Sequence, residues 1–196
     1  RNWVARKILR RQLQRLQWTP HTRLVMWMTA GLIVVGTLIF YATDAQRGWS
    51  TAAFDAVSCR TAGFSIENVA AWGTPAVMLT LFLMFVGGSP GGTGGGVRTT
   101  TFAVACLNAW QMLTQKSQLT LFNRSYEATL AQRAFAVIFL SAMYIFIASA
   151  ALIVLHPQLP PLDLLFEATS AFTTTGLSRG LTAQLGAAGK VIVIFT

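Results

Sequence analysis

The chain is short of charge, short of the residues that do metal and acid–base chemistry, and shortest of acids. Its 196 residues include six Asp or Glu, two His and two Cys. With only His21 and His156, and no His/Asp/Glu cluster inside an apolar run, neither metal-assisted nor general acid–base catalysis has a place to work. No enzyme is expected. Cys59 lies in a polar stretch and Cys106 in an apolar one, so no disulfide framework or thiolate metal site is indicated. A signal peptide is lacking too, since the first apolar run is too long and its basic leader too extended. The chain also lacks an initiating Met and ends at Thr196 inside an apolar run, so it reads as an internal piece of a longer polypeptide.

What is present is hydrophobic length. Residues are 54% hydrophobic and only 11% charged, which points to an integral membrane protein rather than a soluble domain. Leu24 to Thr43 and Ala134 to Leu155 carry no charge and are long enough to cross a ~30 Å hydrocarbon core. The net charge of +9 is unevenly placed. Arg1, Arg6, Lys7, Arg10, Arg11, Arg15 and Arg23 all precede the first span, and no acid appears before Asp44. That is the mark of a cytoplasmic flank. Within residues 1–23, Val4, Ile8, Leu9, Leu13 and Leu16 share one face of a helix opposite Arg6, Lys7 and Arg10. Such a helix suits the lipid surface, and nucleic acid is not an expected partner. Residues 44–73 and 156–186 are net negative, whereas 115–133 are net positive, so the two spans thread consistently with the acidic segments outside.

Between the apolar run Ala76 to Val86 and the mostly apolar Thr99 to Thr114 lies Gly87-Gly88-Ser89-Pro90-Gly91-Gly92-Thr93-Gly94-Gly95-Gly96-Val97-Arg98, with seven of the 16 glycines. No continuous helix survives such a stretch. The lead-in is about 16 Å long as a helix, half the hydrocarbon thickness, so the break falls near mid-membrane. Non-helical backbone at that depth must be buried in protein or line a watery cavity. A phosphate-cradling loop is excluded because Val97 and Arg98 follow Gly96 where Lys and Ser/Thr are needed, and Val97 stands where a dinucleotide fingerprint needs its third glycine. The alternative is close helix packing through small residues, in a membrane scaffold that transports nothing.

The acidic segments repeat one another. Phe54-Asp55-Ala56-Val57-Ser58 matches Phe166-Glu167-Ala168-Thr169-Ser170, and Thr61-Ala62-Gly63-Phe64-Ser65 matches Thr174-Thr175-Gly176-Leu177-Ser178 after one extra residue. Each copy has a short helical patch (Thr51 to Val57, Leu162 to Phe172) after one span and before the next. A short helix entering from outside aims its negative dipole end at the membrane centre, and the following loop can offer carbonyls in place of a cation's hydration shell. Asp55 and Glu167 either add negative potential at the mouth or serve as partners for helix N-terminal donors or a nearby Arg. Arg60 is expected to turn away from any ion axis and brace the loop.

At Arg60-Thr61-Ala62-Gly63-Phe64, at Ser170-Ala171-Phe172 running into Thr174 to Ser178, and at the Gly-rich stretch, the sequence resembles the Trk/Ktr/HKT superfamily of potassium and sodium uptake proteins, most of all the bacterial Ktr-type membrane subunit. The resemblance implies an all-α integral membrane fold of tandem span–pore-helix–span repeats with re-entrant filter loops and one broken helix. Residues 24–114 would be the family's third repeat, 115–133 a cytoplasmic linker, and 134–196 most of the fourth repeat. It further implies a filter at Thr61, Ala62, Gly63 and Phe64 and at Thr174, Thr175, Gly176 and Leu177. Potassium or sodium would be held by the backbone of Thr61, Gly63, Thr174 and Gly176, and no covalent cofactor would be present. The intramembrane gate would be Gly87, Gly88, Ser89, Pro90, Gly91, Gly92, Thr93, Gly94, Gly95, Gly96 and Arg98. A homodimer, a cytosolic nucleotide-binding regulatory subunit, surrounding lipid and a multi-pass place in the bacterial inner membrane follow from the same likeness. One departure is Thr173, which stands where Gly is frequent in the bacterial fourth-repeat motif.

Overall fold

The computed structural model describes residues 20–43, 47–92, 94–114, 120–121, 124–125 and 128–196. The amphipathic segment expected over 1–23 therefore lies almost wholly outside the described residues, as do Asp44, Thr93 and residues 115–119, 122–123 and 126–127 of the polar linker.

Among the described residues seven α-helices follow in order: α1 Pro20–Thr43, α2 Trp49–Ser58, α3 Thr74–Phe85, α4 Thr99–Leu113, α5 Ala128–Leu155, α6 Pro161–Phe172 and α7 Ala187–Phe195. A 3-10 turn, Val69–Ala71, precedes α3. Thr120–Leu121 (β1) and Arg124–Ser125 (β2) pair antiparallel, Thr120 opposite Ser125 and Leu121 opposite Arg124. Among the described residues two helices are long and apolar enough to cross a membrane, over Thr22–Thr43 and Thr129–Leu155, and Thr74–Phe85 is a shorter apolar helix.

The uncharged runs mark these helices but not their ends. α5 begins at Ala128, six residues before the apolar run, because Ala128, Leu130, Ala131, Gln132 and Arg133 are helix formers that carry the turns past the hydrocarbon-length segment. α6 opens on Pro161 after an extended Pro160, with Asp163 in its first turn, where an acid complements the helix N-terminus. α3 stops at Phe85 because Val86 leaves helical torsions at φ −82°, ψ 36°, and α4 starts after an extended Arg98. The backbone between them is non-helical over residues 86–92 and 94–98, the place where glycine and proline exclude a helix.

Each short helix sits at the centre of a core. Ala52, Ala56 and Cys59 on and just after α2 pack with Phe40 of α1, Val69 and Trp72 of the turn region, and Ala76, Val77, Leu83 and Met84 of α3. Leu164 and Ala168 of α6 pack with Ala148 and Leu152 of α5 and with Leu181 and Leu185 beyond it. Phe166 and Leu177 leave the second half to join the first core, which locks the halves together. Facing away, Phe139, Leu140, Phe146, Ile147 and Val154 of α5 are exposed, an outward apolar band of the kind lipid or a partner covers.

Candidate functional site

Both short helices end in the same backbone device. After α2, Thr61 (φ 75°) and Gly63 (φ 72°) are left-handed; after α6, Thr174 (φ 53°) and Gly176 (φ 86°) are left-handed at the matching places. Thr61 and Thr174 are the only non-glycine residues with positive φ among the described residues. A β-branched residue rarely takes this conformation and holds it only where its surroundings insist. The insistence comes from the helix ends. Ala62 N–H and Gly63 N–H both donate to Ser58 O (3.1 and 3.0 Å), and Thr175 N–H donates to Ser170 O (3.0 Å). The Ser58 hydroxyl donates to Phe64 O, closing the first loop on its own helix. In the second, Thr173 Oγ1 donates to Thr169 O (2.8 Å) and shares a hydrogen bond with Thr175 Oγ1 (2.8 Å). The extra residue of this copy is thus absorbed as a buried Thr that ties the loop to α6.

The two Thr-x-Gly loops meet. A Cβ on Gly63 would lie 1.8 Å from the Thr175 carbonyl oxygen, so only glycine fits this approach. The Gly-rich stretch is packed against both. A Cβ on Gly94 would lie 3.0 Å from Thr61 Oγ1, and one on Gly95 2.8 Å from Phe172 O. Gly95 N–H donates to Thr174 Oγ1 at 2.7 Å. Arg60, buried beside Thr61, donates from Nη2 to Gly87 O at 3.1 Å, so this guanidinium braces the stretch. Ser89 Oγ and Thr29 Oγ1 of α1 share a hydrogen bond at 3.1 Å. The ends of the stretch are stitched by Val97 N–H to Phe85 O (3.1 Å) and Thr99 N–H to Gly88 O (3.3 Å).

The paired acids serve these loops from the far side. Asp55 Oδ2 faces Arg47 Nη1 at 3.4 Å with both side chains buried, and Arg47 Nη2 donates to Glu67 Oε2 at 2.8 Å. The Arg47 guanidinium also lies over the rings of Phe40 (5.3 Å) and Trp72 (5.1 Å). Glu167 accepts from Ser178 Oγ (2.6 Å), Arg179 N–H (3.0 Å) and Thr182 Oγ1 (2.7 Å), fixing the chain after Gly176. Arg179 in turn reaches Asp163 (3.2 Å) and the Ala70 carbonyl (3.0 Å), joining the two halves. Of the two readings open for these acids, the structure has Asp55 with a nearby Arg and Glu167 with loop donors. Sequence reasoning missed the contacts of Arg47 with Glu67 and of Gly95 with Thr174. Those partners stand 20 and 79 residues apart, and no spacing rule connects them. Among the described residues no group of three or more His, Cys, Asp and Glu is placed to hold a metal ion.

Comparison with known proteins agrees with this architecture. The family model described as "TrkH: Cation transport protein" matches residues 9–196. The chain is similar to Ktr system potassium uptake protein B of Vibrio alginolyticus, 32% identical over 186 residues that cover 89% of this chain and 40% of the relative. It is similar to the protein of the same name from Bacillus subtilis (strain 168), 37% identical over 72% of this chain and 32% of that one. Potassium/sodium uptake protein NtpJ of Enterococcus hirae is 30% identical over 90% of this chain and 42% of its own length. The chain thus spans about a third to two fifths of these relatives, which are uptake proteins and not enzymes. In fold it resembles the crystal structure of the potassium transporter TrkH from Vibrio parahaemolyticus, with a TM-score of 0.70, 18% identity and 90% of this chain covered against 40% of that one. This predominantly helical chain belongs to the TrkH family of cation transport proteins.

Proposed function

We propose that the chain forms two of the repeats around a cation pathway in a bacterial cytoplasmic membrane, taking up potassium or sodium. In this reading α1, α2 and the α3–α4 pair make the third repeat, and α5, α6 and α7 the fourth, with α2 and α6 as pore helices. The linker 115–133 lies in the cytoplasm. The observation that carries the reading is the pairing of left-handed Thr and Gly in both loops, Thr61 with Gly63 and Thr174 with Gly176. In an extended strand successive carbonyls face opposite sides; a left-handed residue at every second position turns the intervening peptides so that carbonyls face one side. A row of such carbonyls replaces a cation's hydration shell. The backbone of Thr61, Gly63, Thr174 and Gly176 would hold the ion, with Ala62, Phe64, Thr175 and Leu177 completing the loops.

The Gly-rich stretch is the gate in this reading. It lies against both loops, and its many glycines let the backbone rearrange without side-chain obstruction. A scaffold that merely packs helices is the weaker reading, because Gly94 and Gly95 pack against Thr side chains and the backbone where α6 gives way to its loop, rather than along the side of a helix. The homodimer and the cytosolic nucleotide-binding regulator implied by the family likeness complete the proposal. They would act on the gate from the cytoplasmic side, and transport would run down the electrochemical gradient. The test is deletion of residues 91–96 in the full-length protein, reconstituted alone in liposomes. Rubidium flux is expected to rise severalfold; unchanged flux in a folded protein would remove the gate assignment.

A further inference from the structure

Among the three consecutive threonines Thr173, Thr174 and Thr175, the hydroxyls divide. Thr173 and Thr175 bond each other, and Thr173 also bonds α6, all within the second repeat. Thr174 points the other way and accepts the Gly95 N–H of the Gly-rich stretch at 2.7 Å, across 79 residues of sequence. The approach there is tight. A Cβ on Gly95 would stand 2.8 Å from Phe172 O, 3.1 Å from the Thr173 carbonyl carbon and 3.1 Å from Thr174 Cγ2. Backbone therefore docks on backbone, and the hydroxyl supplies the directed bond. Thr174 is also one of the two strained non-glycine residues, with φ at 53°. In the first repeat the equivalent Thr61 contacts the stretch by packing, while its neighbour Arg60 bonds Gly87 O.

We propose that the Thr174 hydroxyl is a latch that holds the gate shut against the filter, a role separate from that of the Thr174 carbonyl; the inference rests on the gate reading above. To swing away, the stretch must break the Gly95–Thr174 bond and give that N–H to water. Breaking it also removes one of the contacts that keep Thr174 in its left-handed state. Gate opening and filter geometry are then two ends of one equilibrium. By linkage, whatever holds Thr174 in that conformation, an ion in the filter included, stabilises the closed gate by the same factor.

The test compares Thr174→Ser, which keeps the hydroxyl, with Thr174→Ala, which keeps the Cβ and loses it. Each is made in the full-length protein and reconstituted alone in liposomes. Rubidium flux through Thr174→Ala is expected to exceed that through Thr174→Ser by about two- to tenfold, the weight of one net hydrogen bond on the closed state. A folded Thr174→Ala protein whose filter no longer conducts is still informative through amide hydrogen exchange. The Gly95 N–H should lose protection in Thr174→Ala and keep it in Thr174→Ser. The latch is overturned if Thr174→Ala shows neither added flux nor faster exchange at Gly95, or if Thr174→Ser leaks as freely as Thr174→Ala. If deleting 91–96 raises flux while Thr174→Ala changes nothing, the gate stands and the latch alone fails. If that deletion leaves flux unchanged, the gate reading itself fails and takes the latch with it.

Discussion

Gly63 and Gly176 hold the same place in the two copies, yet a methyl group added to each meets different surroundings. At Gly63 it would run into the Thr175 carbonyl, and at Gly176 it would find nothing within 4 Å. Both positions have positive φ, so each substitution carries the left-handed penalty of about 1–2 kcal/mol. Only Gly63→Ala must also push two loops apart, which adds about 1–3 kcal/mol for overpacking. Thermal unfolding in detergent should therefore show Gly63→Ala as the larger loss by several degrees; equal losses would mean that the loops do not meet as described. The left-handed glycines were legible in the sequence from the Thr-x-Gly repeat. The left-handed threonines were not, since a β-branched side chain argues against that conformation until the Ser58 and Ser170 carbonyls are seen to enforce it.

The short helix α2 depends on a charge placed before it. Arg47 precedes α2, Asp55 lies within it, and Glu67 follows the loop, so a single guanidinium ties the helix to both of its flanks. Removing one partner of a buried pair leaves the other charge without compensation, and the cost reaches about 3–5 kcal/mol. Asp55→Ala is expected to fall at the low end because Glu67 still holds Arg47. Glu67→Gln, at a carboxylate 37% exposed, should cost under about 1 kcal/mol. Denaturant or thermal melts of the two variants check the order, and a larger effect at Glu67 would contradict it. At this scale the apolar runs and proline or glycine boundaries mark the seven α-helices among the described residues, but not the 3-10 turn Val69–Ala71. They misplace the start of α5, because hydropathy marks hydrocarbon contact while helix formers such as Ala128, Leu130 and Ala131 extend the element past it. The Arg47 network stayed hidden because ion pairing across 20 residues follows from the fold and not from any local period.

At the scale of the whole molecule, the described helices (two long, a broken pair, two short and the final α7) are arranged so that both Thr-x-Gly loops meet against one Gly-rich stretch. The family was legible from that stretch and the loop motifs together, and the match over residues 9–196 establishes it. How the stretch would engage the loops was not legible, because Gly95 and Thr174 come together only when both halves fold. The central claim is that these loops select and pass a cation. It is tested most directly in the full-length protein with Gly176→Ser, the proposed filter position where a side chain finds open space. Rubidium uptake into proteoliposomes, with potassium and sodium as competitors, is the measurement. The account predicts a folded protein whose flux falls by about tenfold or more, or whose preference between the two competitors changes. A folded Gly176→Ser protein with wild-type flux and wild-type preference would contradict it.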